Sequence, residues 1–420
     1  MSDMLLPTTR AQVSGHKFLQ RRVEHALVFG DLRMIHDPLA RRRRALLFGI
    51  TALVLLGLGA GLLAFIRPAA DPGEAPILRA DSGALFVRVE DTLHPVGNLA
   101  SARLIAGEAA QPARIADDIL LSQPLGTPLG IPGAPGVLPA EPAPDLTWSV
   151  CHDSGADQVT VVVREDGAPA PLAPGQAVLA ESGGREHLVT AAGRRLLPVT
   201  DSPEGRVVRR RLGIYSGTPV WEPLPEVLRV IAELPAVTVP PGTPPVLQSA
   251  GGNWLEQETG LTPVTPLQRE ILADLGSPVQ EVPRTELALR ADDPDPAPLH
   301  LPEAEPEWLD PGEQVLCVSG EAGTPGILPA DPGGVALPGD SVATTYAGPG
   351  LGSLVVDTGA GYRVVSETGT VHVVPGPEQL AVLGLPTEPS PVPWQLLRLL
   401  PLGPELSPGQ AVQAAGHEAG

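Results

Sequence analysis

Residues 45–66, ALLFGITALVLLGLGAGLLAFI, run for 22 positions without a charged side chain. As a helix rising 1.5 Å per residue they span about 33 Å, enough to cross a hydrocarbon core of about 30 Å. Arg41, Arg42, Arg43 and Arg44 stand directly before the run, and only Arg67 follows closely. Such an asymmetry keeps the N-terminal side in the cytoplasm and sends the C-terminal side out. The expected layout is a cytoplasmic segment 1–44, a transmembrane helix 45–66 and an extracytoplasmic domain 67–420. A buried core helix fits the length and the basic flank poorly. A cleaved signal peptide would have a shorter apolar run and a small-residue cleavage site, so an uncleaved signal anchor is the better description.

Charge follows the same division. The chain carries a net charge of −20, yet residues 1–44 hold nine Lys/Arg and four Asp/Glu, leaving everything beyond Arg67 near −26. An acidic outer domain argues against nucleic acid and against docking on anionic lipid. The basic inner segment enforces topology and can touch lipid headgroups. Within it, residues 16–27 read as a helix with Val23, Leu27 and Met34 on one apolar face, stopped at His36, Asp37 and Pro38 because proline disfavours helix in the residue before it. Gly and Pro total 98 residues, just under the level of a disordered composition; the Val and Leu content points to a folded core rich in turns.

Two cysteines, Cys151 and Cys317, lie beyond the anchor in strand-like contexts. In an oxidising compartment they read as one disulfide, with two free buried thiols as the alternative. They do not make a metal site, for which four ligands would be needed.

A hairpin unit recurs along the outer chain. Two short strands joined by a turn appear at 85–96, 188–199, 254–264 and 362–375, with helices ending in Leu-Gly after the third and fourth. Glycine past a helix end accepts the left-handed backbone needed there. Proline-led helices are expected over 225–234 and 393–400. The first and third intervals between units exceed the second, and each long interval holds one cysteine. This spacing predicts four repeats (80–136, 183–237, 246–290 and 350–406) around a central domain built from 145–182 and 311–347. Residues 291–311 read as an acidic, proline-rich linker, and 129–136 as a similar connector. The fold class is α+β, with a single N-terminal transmembrane helix.

Motifs for chemistry are sparse. Asp81-Ser82-Gly83 and Asp357-Thr358-Gly359 resemble the paired aspartates of aspartic proteases, but Asp-x-Gly is also a common turn signal. Both precede repeat strands, as turn residues would. No G-x-x-x-x-G-K-[ST] loop is present, and the one lysine of the chain, Lys17, precedes Phe18. Serine-hydrolase spacing is absent and the nine histidines are scattered. No cofactor is expected.

Several stretches together resemble the EccB family, the single-pass membrane subunits of actinobacterial type VII secretion systems. Inside are Ser14-Gly15-His16, Arg21-Arg22 and Arg33-Met34-Ile35-His36-Asp37-Pro38. Outside are Asp81-Ser82-Gly83-Ala84-Leu85-Phe86, Asn98-Leu99-Ala100-Ser101-Ala102-Arg103-Leu104, Gly130-Ile131-Pro132-Gly133-Ala134-Pro135, Trp148-Ser149-Val150-Cys151, Leu316-Cys317-Val318 and Val392-Pro393-Trp394. The resemblance implies an elongated, propeller-like body, self-association, and assembly with EccC, EccD and EccE subunits into an export channel in the cell membrane. It implies a structural role on the extracytoplasmic side. The family has also been labelled an ATPase, which would make the chain an envelope ATPase; a membrane-anchored aspartic protease using Asp81 and Asp357 is a further alternative.

Overall fold

The structure, a computed structural model, describes residues 9–30, 38–66, 73–139, 141, 145–295, 299–320, 322–350 and 352–413. The chain divides into two compact units, Met1–Asp71 and Pro72–Gly420.

The first unit holds two helices among its described residues. Helix α1 (Arg10–Phe29) opens on a capping box in which Thr9 and Gln12 satisfy each other's backbone N–H groups. It closes at Gly30, whose left-handed backbone glycine adopts without strain. The expected stop near Pro38 is therefore corrected: Gly30 ends this helix. Met34, His36 and Asp37 lie outside the described residues. Pro38 instead opens helix α2 (Pro38–Ile66), because proline at the first helical position lacks only an N–H that would be unpaired anyway. The apolar span is thus the later part of a longer helix whose early turns carry Arg41, Arg42, Arg43 and Arg44.

The second unit is mixed α/β. Strands β1 (Ile77–Ala80), β2 (Leu85–Val89) and β3 (Thr92–Val96) are followed by helix α3 (Leu99–Ala106), strand β4 (Ala113–Ile115) and the single turn α4 (Asp117–Leu120). Then come β5 (Thr147–Asp153), β6 (Gln158–Arg164) and β7 (Ala170–Pro171). The opening order returns as β8 (Gln176–Ser182), β9 (Arg185–Thr190), β10 (Gly193–Leu196), α5 (Pro203–Arg211), β11 (Val220–Trp221) and α6 (Pro225–Leu228). It returns again as β12 (Val246–Ser249), β13 (Gly252–Glu256), β14 (Leu261–Val264), α7 (Pro266–Asp274), β15 (Val279–Glu281) and α8 (Arg284–Leu287). Strands β16 (Glu307–Trp308), β17 (Val315–Ser319), β18 (Thr324–Leu328), β19 (Val335–Ala336) and β20 (Thr345–Ala347) precede the last group. That group is β21 (Leu354–Asp357), β22 (Tyr362–Val365), β23 (Val371–Val374), α9 (Pro377–Leu383), β24 (Ser390–Pro391) and α10 (Trp394–Leu397), with the turn α11 (Pro408–Ala411) after it.

Each group makes a sheet of the same strand order: β3-β2-β1-β4, β10-β9-β8-β11, β14-β13-β12-β15 and β23-β22-β21-β24. Three strands form an antiparallel meander and the fourth pairs parallel to the first after the helix crosses over. The fifth sheet has seven strands, β19-β20-β6-β5-β17-β18-β7. The middle of β5 and of β6 is buried at every position, the pattern of strands covered on both faces.

Apolar contacts set the order of these sheets. One cluster joins Ala100 and Leu104 of the first sheet's helix to Val364, Val374 and Leu380 of the fourth. A second joins Leu179 and Val208 to Val246 and Ile271, tying the second sheet to the third. The largest packs Val150, Val161 and Leu316 of the seven-stranded sheet against Val189 and Trp221 of the second and Val356 and Val365 of the fourth.

Three expected boundaries are corrected. Residues 176–182, placed in the central segment 145–182, form β8 and pair with β9. Val178 and Ala180 face one cluster and Ala177 and Leu179 the other, so the run looks like a central strand while belonging to the second sheet. The helix expected over 225–234 ends at Leu228, because Glu233 bridges to Arg194 and the Leu234 N–H bonds the Arg194 carbonyl. The one expected over 393–400 ends at Leu397, where Pro401 and Leu402 return to Val371. The linker 291–311 is also pinned: Leu299 and Leu309 are buried and β16 pairs with β8; residues 296–298 lie outside the described set.

Candidate functional site

In α2 the residues Arg44–Leu62 have a mean hydropathy of 2.3 and none of that window is buried. A helix apolar all round and exposed all round has lipid as its natural solvent. Arg42 and Arg44 are exposed. Cations near a helix N-terminus gain nothing from the macrodipole, so the dipole does not account for the four arginines Arg41–Arg44.

The second feature is the staple at the centre of the seven-stranded sheet. Cys151 and Cys317 are bonded, 166 residues apart in sequence. They sit directly opposite each other on antiparallel β5 and β17, with Cα atoms 4.0 Å apart, and both are almost wholly buried. His152, next along β5, points to the opposite face. There the indole N–H of Trp221 donates to His152 Nδ1 at 2.8 Å. The acceptor role fixes the neutral tautomer with its proton on Nε2, which lies 3.9 Å from Asp157. Burial holds this imidazole below its ordinary pKa, against the opposing pull of Asp157 and Asp153.

The two Asp-x-Gly sequences lie at the ends of equivalent strands, β1 and β21. Asp81 pairs with Arg114 at 2.8 Å on the surface. Asp357 accepts the N–H of Gly359 at 2.8 Å, and Gly83 and Gly359 take positive φ. Asp81 is engaged across the sheet by Arg114 and Asp357 serves its own turn, and among the described residues the two carboxylates share no contact. No group of three or more His, Cys, Asp or Glu is arranged to hold a metal among the described residues.

Several structural side chains were not singled out from the sequence. Arg103 on α3 is buried and reaches the Leu383 carbonyl of α9 at 2.6 Å and the Ala110 carbonyl at 3.3 Å. Across the other pair of sheets, Arg211 of α5 grips Asp274 of α7 through two bonds and Glu270 through a third. A clamp also recurs in all four small sheets. His94 bonds the Thr127 carbonyl, Arg195 that of Pro235, Thr262 that of Asp295 and His372 that of Pro404. Each follows a residue that bridges to the returning chain: Leu93, Arg194, Leu261 and Val371. Because the four clamps use different side chains, no residue pattern announces them.

Comparison with known proteins gives these features a context. The family model described as "Type VII secretion system ESX-1, transport TM domain B", EccB, matches residues 5–418. The chain belongs to the EccB family. The ESX-3 secretion system ATPase EccB3 of Mycolicibacterium smegmatis is 32% identical over 98% of this chain and 91% of that protein. A chain of an intact ESX-5 inner membrane complex superposes with a TM-score of 0.69 at 27% identity, covering 100% of this chain and 98% of that one. The EccB3 dimer from the ESX-3 core complex matches with a TM-score of 0.66 at 26% identity, over 81% of this chain and all of that one. EccB proteins are core components of type VII secretion membrane complexes, and this EccB protein is a membrane component of such a system.

Proposed function

We propose that this EccB protein is a structural core subunit that scaffolds the export channel from the extracytoplasmic side. Its N-terminus lies in the cytoplasm, residues 45–66 anchor it, and the body beyond Arg67 assembles with EccC-, EccD- and EccE-like subunits and with further copies of itself. The observation carrying this reading is the end-to-end likeness to a chain of an inner membrane complex. The arginines Arg41–Arg44, which the helix dipole does not account for, support the inward orientation by the positive-inside bias. We read the body as four repeats around a disulfide-bearing centre, arranged in an elongated, propeller-like row. The shared strand order and the recurring clamp support that.

Single cysteines introduced at Ser14 and Glu388 test the orientation. A membrane-impermeant maleimide on intact cells is expected to label the Glu388→Cys chain alone; labelling of Ser14→Cys alone would invert the topology and end the proposal. Co-purification of the other membrane subunits with the tagged chain tests the scaffold.

A second reading, nucleotide hydrolysis, is favoured by the name of the EccB3 relative. The sequence has no phosphate-cradling P-loop, so the energy is assigned to an EccC-like partner. The purified chain in lipid nanodiscs is expected to release phosphate from ATP at the background rate.

A further inference from the structure

The clamp of the second sheet differs from that of the fourth in one respect. In the fourth, His372 is fully buried and its two ring nitrogens lie against the carbonyls of Pro404, at 2.8 Å, and of Gly133, at 3.1 Å, the latter from the connector that roofs the sheet. In the second, Arg195 occupies the equivalent position and gives one N–H to Pro235. The roof there is the 299–306 segment, anchored by the buried Leu299. It stands off the sheet and leaves a cavity of about 330 Å³ lined by Leu188, Ala192, Arg195, His300, Leu301 and Pro306. His300, on the roof, holds a left-handed backbone (φ 44°) unusual for a residue with a side chain.

We infer that this cavity binds a peptide carboxylate with a small apolar residue beside it. The guanidinium has donors left after its clamp bond, five N–H groups against one used. It lies beside His300 and pays a desolvation cost that an anion would offset. The connector's carbonyl, which fills the matching place over His372, marks where an acceptor fits. The remaining walls are mostly Leu, Ala and Pro, with Thr190 and Gln176, whose amide donates to Glu307, as the polar exceptions, and the volume sits at the low end of ligand sites. In a body otherwise strongly acidic, a recessed cation beside an apolar wall selects an anionic end group.

The test uses the full chain in lipid nanodiscs and isothermal titration calorimetry. Three probes are N-acetyl-Leu-Pro-Ala as the free acid, the same peptide as its amide, and N-acetyl-Leu-Pro-Asp-amide. Either carboxylate peptide is expected to bind at least about tenfold more tightly than the neutral amide, and whichever binds more tightly identifies a chain terminus or an acidic side chain as the source. Arg195→Gln should remove that preference. Because Arg195→Gln also loses a clamp bond, Ala192→Trp is the second variant: Ala192 is an exposed turn residue, and the indole should block the cavity with the melting temperature unchanged. Equal binding of acid and amide, full affinity in Ala192→Trp, or no binding up to millimolar peptide would overturn the assignment.

Discussion

Three buried histidines, His152, His187 and His372, all sit below the ordinary imidazole pKa, and burial is the main cause in each. Arg194 and Arg185 add to the depression at His187, where Glu233 opposes it. At His372, bonds to the Pro404 and Gly133 carbonyls and the charge of Glu367 oppose it. An unfolded histidine titrates near 6.5. Below that value the unfolded chain binds more protons than the native one, so stability present above it is lost as pH falls toward the depressed native values. The melting temperature should therefore drop between pH 7.5 and 5.5, and His152→Gln, which keeps an acceptor for Trp221, should flatten the slope. A melting temperature that rises over that interval would contradict the assignment. Gly403 is a second sensitive point, since an added Cβ would collide with the buried His372 imidazole. Gly403→Ala is expected to cost about 1–3 kcal/mol as overpacking, measurable by urea denaturation.

At the scale of elements, the disulfide is the largest single constraint on the unfolded chain. Closing a loop of 166 residues is worth up to about 5 kcal/mol in the chain-entropy model. Replacing Cys151 and Cys317 together by Ala should lower stability by about 2–5 kcal/mol, read from denaturation midpoints. Reductant should leave the native bond intact, because both sulfurs are shielded from solvent. Two helix ends were legible from sequence: Gly276 and Gly384 take positive φ just past α7 and α9. The lengths of α6 and α10 were not. Their apolar residues after Leu228 and Leu397 suit a helix face as well as they suit the main cluster, and the choice was made by strands that the returning chain meets only after folding.

Across the body, the sheets pack in pairs, first with fourth and second with third, and the seven-stranded sheet lies between the pairs. Leu104 belongs to the core of the first pair. Leu104→Ala should cost about 2–5 kcal/mol; it should raise amide exchange in α9 as well as α3 while leaving α5 and α7 unchanged, which exchange mass spectrometry can resolve. The membrane span, the turns and the glycine-marked helix ends were readable from the sequence because each depends on groups within a few residues: hydropathy sums locally, and a terminal glycine acts only on its own last turn. The assignment of residues 176–182 to the second sheet, the sealing of His372 by Gly133 and the open cavity beside Arg195 depended on the tertiary structure. The sealing of His372 and the cavity beside Arg195 rest on segments more than a hundred residues away, while β8, buried on both faces, pairs with the adjacent β9 although its apolar run suits a central strand equally well.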